Sequence, residues 1–175
     1  MSRQVQEKQS EGLRVMICVD GSHNSEVAFE RYAEKIHRPE NEVVLVHVAE
    51  FNIAPSQLFF GATPPVGIGI TSPSASTEST IRDSLEDEKR RTKAIETKFR
   101  KKCKDNGIKF SFLRLTDSGQ GIGQAIVEAA IKHDAQFIVT GTRGRGIVRR
   151  TILGSVSEYV LHHSLVPTLL CPKDC

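Results

Sequence analysis

The sequence predicts an α/β fold, namely a Rossmann-like open parallel five-stranded sheet with helices on both faces. Five short apolar runs are typical of strands that are buried on both faces. Segments with apolar residues at helical spacing lie between these runs, and neighbouring parallel strands need such crossover connections. The 175 residues, 38% of them hydrophobic, suffice for one domain with a core.

The first elements follow from local signals. A continuous apolar run predicts a strand over 15–19, which ends at Asp20-Gly21-Ser22. Ser22 or Ser25 is predicted to cap the first helix, which Pro39 closes. The second strand is predicted over 43–48.

The composition then changes to Pro, Gly, Ser and Thr over 51–80, which predicts a long loop. It is either a plain mobile insertion or, because Leu58, Phe59 and Phe60 are apolar, a segment that packs on the domain or folds over a ligand. We therefore expect a polar amino-terminal extension over 1–12 and one domain over 13–175 that carries this insertion.

The second half alternates helix and strand. The predicted elements are a helix over 81–103, a strand over 110–115, a helix over 122–130, a strand over 137–139, a helix over 155–164 and a strand over 166–171. Asn106-Gly107 ends the first of these helices. Ser155 and Glu158 form an S-x-x-E capping box, which predicts that the last helix starts there.

Composition excludes several classes of protein. A net charge of +3 is far below the dense basic surface of a dedicated nucleic-acid binder. No apolar run approaches the about 20 residues that cross a bilayer, and the amino terminus lacks the apolar core of a secretory signal. The four cysteines share no C-x2-C spacing, so we expect reduced thiols, no zinc site and a cytoplasmic protein.

The segment GTRGRGIVRRTILGSVSE contains the spacing G-x2-G-x9-G-S through Gly141, Gly144 and Gly154-Ser155. A glycine after a strand lets the chain turn, and a second glycine lets main-chain N–H groups approach phosphate oxygens. Gly154 and Ser155 lie where a helix begins, so its free N–H groups and dipole favour an anion. The hydroxyls of Ser155 and Ser157 can add donors. A purely structural turn, with Ser155 as an ordinary cap, is the alternative.

Four arginines favour the anion-binding interpretation, since crowded guanidinium groups repel each other unless an anion or solvent screens them. They are Arg143, Arg145, Arg149 and Arg150.

The glycine spacing after a strand, the strand that ends at Asp20-Gly21-Ser22, His47-Val48 and the closing Val-Pro-x-Leu-Leu run together resemble the universal stress proteins. The resemblance extends from Val15 to Pro172, and the 51–80 insertion and the polar first dozen residues depart from it. It implies the nucleotide-binding branch of that family, because the glycine spacing is complete.

That resemblance implies roles for individual residues. Asp20 would contact the ribose, the backbone of Val48 would recognise adenine, and Val19 would line the same pocket. The phosphates of ATP, ADP or AMP would be held by Gly141, Gly144, Gly154, Ser155, Val156 and Ser157. From the residues alone, Asp20 is either a ribose ligand or the cap of an Asx-type turn, and the two are compatible. Magnesium would bridge the phosphates, although the sequence identifies no carboxylate ligand for it.

The resemblance also implies a homodimer through the last strand, which begins at Val166 and ends at Cys171. Pairing an apolar edge with its own copy prevents uncontrolled association, and an edge strand tolerates Pro167.

Rival functions have weaker support. Gly119-Gln120-Gly121-Ile122-Gly123 gives G-x-G-x-G after the third strand, so we interpret it as the start of a helix and not as a dinucleotide fingerprint. His47 is predicted to be structural, and no catalytic residues are identified. RNA binding through Gly144-Arg145-Gly146 is a further alternative. It has weaker support because the chain, with 6% aromatic residues and no tryptophan, offers few rings on which bases could stack. A dimeric interaction module with structural or no nucleotide, and a slow ATPase, remain alternatives.

Overall fold

The computed structural model describes residues 12–49, 75–117, 119–142 and 153–172. The elements within them are β1 (Arg14–Cys18), α1 (His23–Lys35), β2 (Glu42–Ala49), α2 (Ala75–Asp105), β3 (Phe110–Thr116), α3 (Ile122–Lys132), β4 (Phe137–Gly141), α4 (Ser155–His163) and β5 (Thr168–Cys171).

The five strands form one parallel sheet in the order β3-β2-β1-β4-β5. The chain builds outwards from β1 to β3 and then returns to add β4 and β5 on the other side. The direction of winding therefore reverses between β1 and β4. In open parallel sheets, ligands bind beyond the carboxyl ends of the strands at such a reversal. The predicted fold class is confirmed.

Alternate residues of each strand face opposite sides of the sheet, and each side has its own core. Val15 and Ile17 of β1 pack with α1 and α2, which cover one face. Met16 and Cys18 pack with α3 and α4, which cover the other. Continuous apolar runs predicted these strands correctly because helices cover both faces of the sheet.

The predicted loop over 51–80 is too long at its carboxyl end. Helix α2 begins at Ala75, six residues before the predicted start at Ile81. Pro73 is the last residue in this part of the sequence that a helix interior rejects, and the Ser and Thr residues after it are tolerated within a helix. Residues 50–74 lie outside the described residues, and so does the predicted extension apart from Gly12.

Two predicted strand boundaries are also corrected. Strand β5 begins at Thr168 and not at Val166, since Pro167 has no N–H group; its carbonyl accepts a hydrogen bond from the Ile138 N–H at 2.9 Å. Strand β4 continues to Gly141, which was expected to lie in the turn after it. The edge position of β5 is confirmed.

Among the described residues, no helix combines the length and the apolar character needed to cross a membrane.

Candidate functional site

The candidate site lies at the carboxyl ends of β1 and β4, where the winding reverses. These strands pair directly, with Ile17 opposite Val139, so their ends leave the sheet side by side. The N–H of Val19 continues the sheet with a hydrogen bond to the Val46 carbonyl at 2.8 Å. The N–H of Thr142 does the same towards the Cys171 carbonyl at 3.1 Å. Val19-Asp20 and Gly141-Thr142 are therefore held as neighbouring backbone segments.

Asp20 begins a tight turn into α1. One carboxylate oxygen, Oδ1, accepts a hydrogen bond from the Ser22 N–H at 2.9 Å, and Gly21 has a positive φ of 77°. Ser22 is the N-cap of α1, with its Oγ accepting from the Ser25 N–H at 3.2 Å. The Asx-turn interpretation of Asp20 is therefore correct. A carboxylate has about four acceptor positions, so the turn leaves capacity for a ligand hydroxyl.

Val48 lies near the end of β2, beyond the reach of β1. The pairing of β1 with β2 ends at Cys18 and Val46, whereas β2 continues along β3 to Ala49. The Val48 side chain is buried in the core beneath α3 and α4. Its main chain is thus the part of the residue that lies at the edge of the candidate site.

Gly141 is explained by packing. A Cβ atom at this position would lie 3.0 Å from both the backbone carbon and the backbone oxygen of Asn24 in the first turn of α1. Since a Cβ there would require the Asn24 backbone to shift by a few tenths of an ångström, the absence of a side chain lets α1 approach the end of β4. The close contact, and not an unusual backbone angle, is what requires glycine.

The two ends of the glycine-rich segment are joined at its base. The Gly154 N–H donates to the Thr142 carbonyl at 2.8 Å, and the Ser157 hydroxyl donates to the Gly141 carbonyl at 2.7 Å. Thr142 and Gly154, which lie on either side of 143–152, are therefore held next to each other at the end of β4. Arg143, Gly144 and Arg145, which the sequence placed in the site, lie outside the described residues.

The start of α4 differs from the predicted capping box. The N-cap is Gly154, which has no side chain to cap the helix, and Ser155 is the first helical residue. The Glu158 N–H bonds to the Gly154 carbonyl at 2.8 Å, as in a regular helix. The N–H groups of Ser155, Val156 and Ser157 precede this bond and have no acceptor within the helix. They and the helix dipole make this end attractive to an anion.

Two hydroxyls expected near the phosphates have different surroundings. Ser155 is exposed, so its hydroxyl is available to a ligand. Ser157 is buried, and its hydroxyl is occupied by Gly141. Only the main chain of Ser157 remains to face an anion.

Cys18 ends β1 two residues before Asp20. Burial, and then the negative charge of Asp20, raise the pKa of this thiol to about 12. It therefore stays protonated at neutral pH and offers no thiolate. Within 12–49, 75–117, 119–142 and 153–172, no group of three or more His, Cys, Asp or Glu side chains could hold a metal ion.

The sequence did not identify several residues that shape the site. Thr142 anchors both ends of the glycine-rich segment through its main chain, and nothing in its side chain signals this. Glu88 and Thr92 are buried on α2, although the sequence pattern placed them within a charged helix. The alternation along β2, which turns His47 towards α2, was the available signal.

Comparison with known proteins identifies the family of the chain. The family model described as the universal stress protein family matches residues 13–172. The chain belongs to this family. A curated Staphylococcus aureus (strain USA300) relative assigned to the universal stress proteins is 25% identical over 152 residues, which cover 86% of this chain and 78% of that protein.

Solved structures of universal stress proteins share the fold. Universal stress protein UspA from Lactobacillus plantarum superimposes with a TM-score of 0.63 at 15% identity, covering 92% of this chain and 98% of that one. A family protein from Arabidopsis thaliana, solved with AMP bound, gives 0.62 at 20% identity, covering 93% of each chain. A universal stress protein in complex with cAMP gives 0.52 at 18% identity, covering 94% of this chain and all of that one.

Proposed function

We propose that this universal stress protein binds an adenine nucleotide, ATP or one of its lower phosphates, as a regulatory ligand in a stress response. The observation that carries the proposal is the hydrogen bond from the Gly154 N–H to the Thr142 carbonyl. It brings the amino-terminal end of α4, which Gly154 cannot cap, to the end of β4, next to the β1 end that carries Asp20. Two structural neighbours, one solved with AMP and one in complex with cAMP, support adenine as the base.

Each part of the nucleotide would meet a suitable group. The Asp20 carboxylate would accept hydrogen bonds from the ribose hydroxyls, and Val19 and the Val48 main chain would contact adenine. The phosphate-binding residues of the proposal are Gly141, Arg143, Gly144, Arg145, Gly154, Ser155, Val156 and Ser157. A bound magnesium ion would neutralise phosphate charge, with the phosphates and water as its oxygen ligands.

We propose regulation, not turnover. General-base catalysis of hydrolysis requires a side chain that can accept a proton from the attacking water. The buried thiol of Cys18 does not act as one at neutral pH, because its pKa is raised to about 12. We expect phosphate release from ATP to stay at the rate of the buffer.

The proposal includes a homodimer formed through β5. Within the part of the chain that the structure describes, this strand pairs with β4 alone, so its other side is an edge there. The adjoining Leu165 is 82% exposed, and Leu161 at the end of α4 is also exposed. A second copy would cover both the strand edge and these apolar side chains. The free, buried thiols of Cys18 and Cys103 suit the reducing cytoplasm in which we place the protein.

Isothermal titration calorimetry with ATP, ADP and AMP, each with and without magnesium, tests the proposal. We expect saturable heat from at least one nucleotide and no signal from inorganic phosphate at the same concentration. The absence of heat from all three would refute nucleotide binding. Native mass spectrometry of the purified protein checks the dimer mass and any retained nucleotide in one spectrum.

A further inference from the structure

A buried histidine lies directly behind the β1 end of the site. His47 is 1% exposed, and its Nδ1 lies 2.8 Å from the carbonyl oxygen of Val19. A carbonyl oxygen only accepts hydrogen bonds, so Nδ1 carries the proton and donates it. The Val19 carbonyl belongs to the peptide group that joins Val19 to Asp20. His47 therefore fixes the peptide from which the proposed ribose ligand projects.

The other side of this ring faces a buried acid from α2. The Nε2 of His47 has no hydrogen-bond partner and lies 3.6 Å from Oε1 of Glu88, whose residue is 4% exposed. Glu88 Oε1 also accepts from the Thr92 hydroxyl at 3.4 Å, and Arg91 pairs with Oε2 at 3.4 Å. With Nδ1 donating to Val19, Nε2 is the ring atom that faces the Glu88 carboxylate.

A buried pair of this kind is a poor device for stability alone. Taking a carboxylate and an imidazole out of water is costly, and apolar side chains of similar volume in their place are often neutral or stabilising. The ring nevertheless occupies the one position from which it can hold the Val19 carbonyl, at the end of a strand whose other inward residues are apolar. This placement indicates that His47 fixes the position of the Val19 main chain.

We propose that His47 is a positioning residue for the nucleotide site, oriented by Glu88, and that it acts by holding the peptide between Val19 and Asp20. This inference rests on the proposed function. Neither side chain need touch the nucleotide. Their effect on affinity is transmitted through the main chain of β1 to the Asp20 carboxylate.

Two matched double variants test the proposal. His47→Leu with Glu88→Leu removes the pair as a unit and leaves no unpaired buried charge. His47→Asn with Glu88→Leu keeps one donor, because the amide nitrogen of asparagine takes the place of Nδ1. We expect the first to bind nucleotide about tenfold more weakly than the wild type, the loss of about one hydrogen bond, and the second to recover most of this loss.

Calorimetry and thermal melting are measured on the same samples. A merely structural role would change the melting temperature and leave affinity unaltered in the folded protein. The control is Arg14→Gln with Glu42→Gln, which removes an exposed 3.2 Å ion pair between the same two strands at their opposite ends. It should leave affinity unchanged. Equal affinities of the leucine and asparagine variants would overturn the proposal.

Nuclear magnetic resonance separates failure of this inference from failure of the proposed function. Long-range proton–nitrogen correlations of the wild-type imidazole ring should show a protonated Nδ1, and an unprotonated Nδ1 would overturn the inference without any variant. If the wild type binds no nucleotide, the proposed function fails. In that case the amide resonances of Asp20, Gly21 and Ser22 test the positioning role by themselves. They should shift in the leucine variant and return to their wild-type positions in the asparagine variant. Unshifted resonances in the leucine variant would contradict the positioning role of His47.

Discussion

Two glycine-rich segments of this protein lie in equivalent places and are used differently. The first, 119–123, follows β3 and runs into the start of α3 at Ile122; the second runs from Gly141, the last residue of β4, to Gly154, which precedes α4. Both end at the amino terminus of a helix at the carboxyl edge of the sheet. By composition, either could hold phosphate.

In the first segment the protein supplies its own anion. Asp117 Oδ1 accepts hydrogen bonds from the N–H groups of Gly119 and Gly121, each at 2.9 Å. Both glycines have positive φ angles, of 91° and 99°, which turn their N–H groups towards that carboxylate. Helix α3 then begins at Ile122, as the sequence predicted. These donors are occupied from within the chain.

In the second segment the contacts that close the base use main-chain groups and the buried hydroxyl of Ser157. Gly154 has ordinary extended angles, φ −69° and ψ 145°, and no side chain that could bond to the first N–H groups of α4. Glycine spacing alone does not identify an anion site. Among the described residues, a carboxylate of the chain binds N–H groups of the first segment, whereas none binds the first N–H groups of α4.

The largest expected effect follows from placing a carboxylate in the second segment. Because the backbone angles of Gly154 suit any residue, Gly154→Glu should fold normally. Its charge would occupy the end of α4 and repel phosphate, weakening nucleotide binding by more than about 100-fold. Calorimetry of Gly154→Gln, which has the same size and no charge, is the control. Unchanged affinity in Gly154→Glu would exclude this helix end as the phosphate site.

Gly141→Ala should have the next largest effect. The new Cβ would press on the Asn24 backbone, which costs about 1–3 kcal/mol and lowers the melting temperature by about 2–4 °C for each kcal/mol. Nucleotide affinity should fall too, since the displaced turn of α1 is bonded to Asp20 through Ser22. Gly107→Ala, where φ is 65° and the space is open, should lower stability only. Equal effects of both variants on affinity would contradict this link.

Asp117→Ala should lower stability by about 1 kcal/mol, the usual net contribution of a hydrogen bond, because the N–H groups of Gly119 and Gly121 lose their acceptor. Asp117→Asn keeps Oδ1 as an acceptor and should retain most of the stability that Asp117→Ala loses. Urea unfolding measures both. Nucleotide affinity should stay at the wild-type value in each variant, and a loss of affinity in Asp117→Ala would show that the first segment also contributes to the site.

The smallest effect concerns Cys18 at neutral pH. The native protein should not be alkylated at Cys18 by iodoacetamide, whereas urea-unfolded protein should be, as peptide mass mapping can measure. Cys103, whose pKa is also raised to about 12, chiefly by burial, should behave alike. The unfolded thiols have the ordinary pKa of 9.0 and release their protons first, so the stability they contribute is present below pH 9 and is lost as pH rises towards 12. Labelling of native Cys18 would contradict its burial.

Most of the fold could be predicted because its signals are local. The run from Val15 to Cys18 is apolar at every position, and both of its faces are covered, as the pattern indicated. Ser22, one of the two predicted caps, does cap α1. Boundaries were less certain where residues tolerate several structures, as before Ile81, where the helix begins earlier than predicted.

The site was predicted only in part. The sequence placed Asp20, Val48 and Gly141 at strand ends, and these ends do meet at one edge of the sheet. It could not connect His47 with Glu88, because no local pattern links a residue of β2 with one on a later helix. From the sequence, a chain turn explained why position 141 is glycine. The structure shows instead that glycine is needed for close packing against Asn24.

The sequence by itself determined the kind and order of the elements, since apolar periodicity and capping residues act within a few positions of one another. The tertiary structure alone decided that β1 and β4 are neighbours and that Thr142 bonds with Gly154. These contacts depend on how the crossover helices return the chain to the sheet. That is a property of the whole packed core and of no single segment.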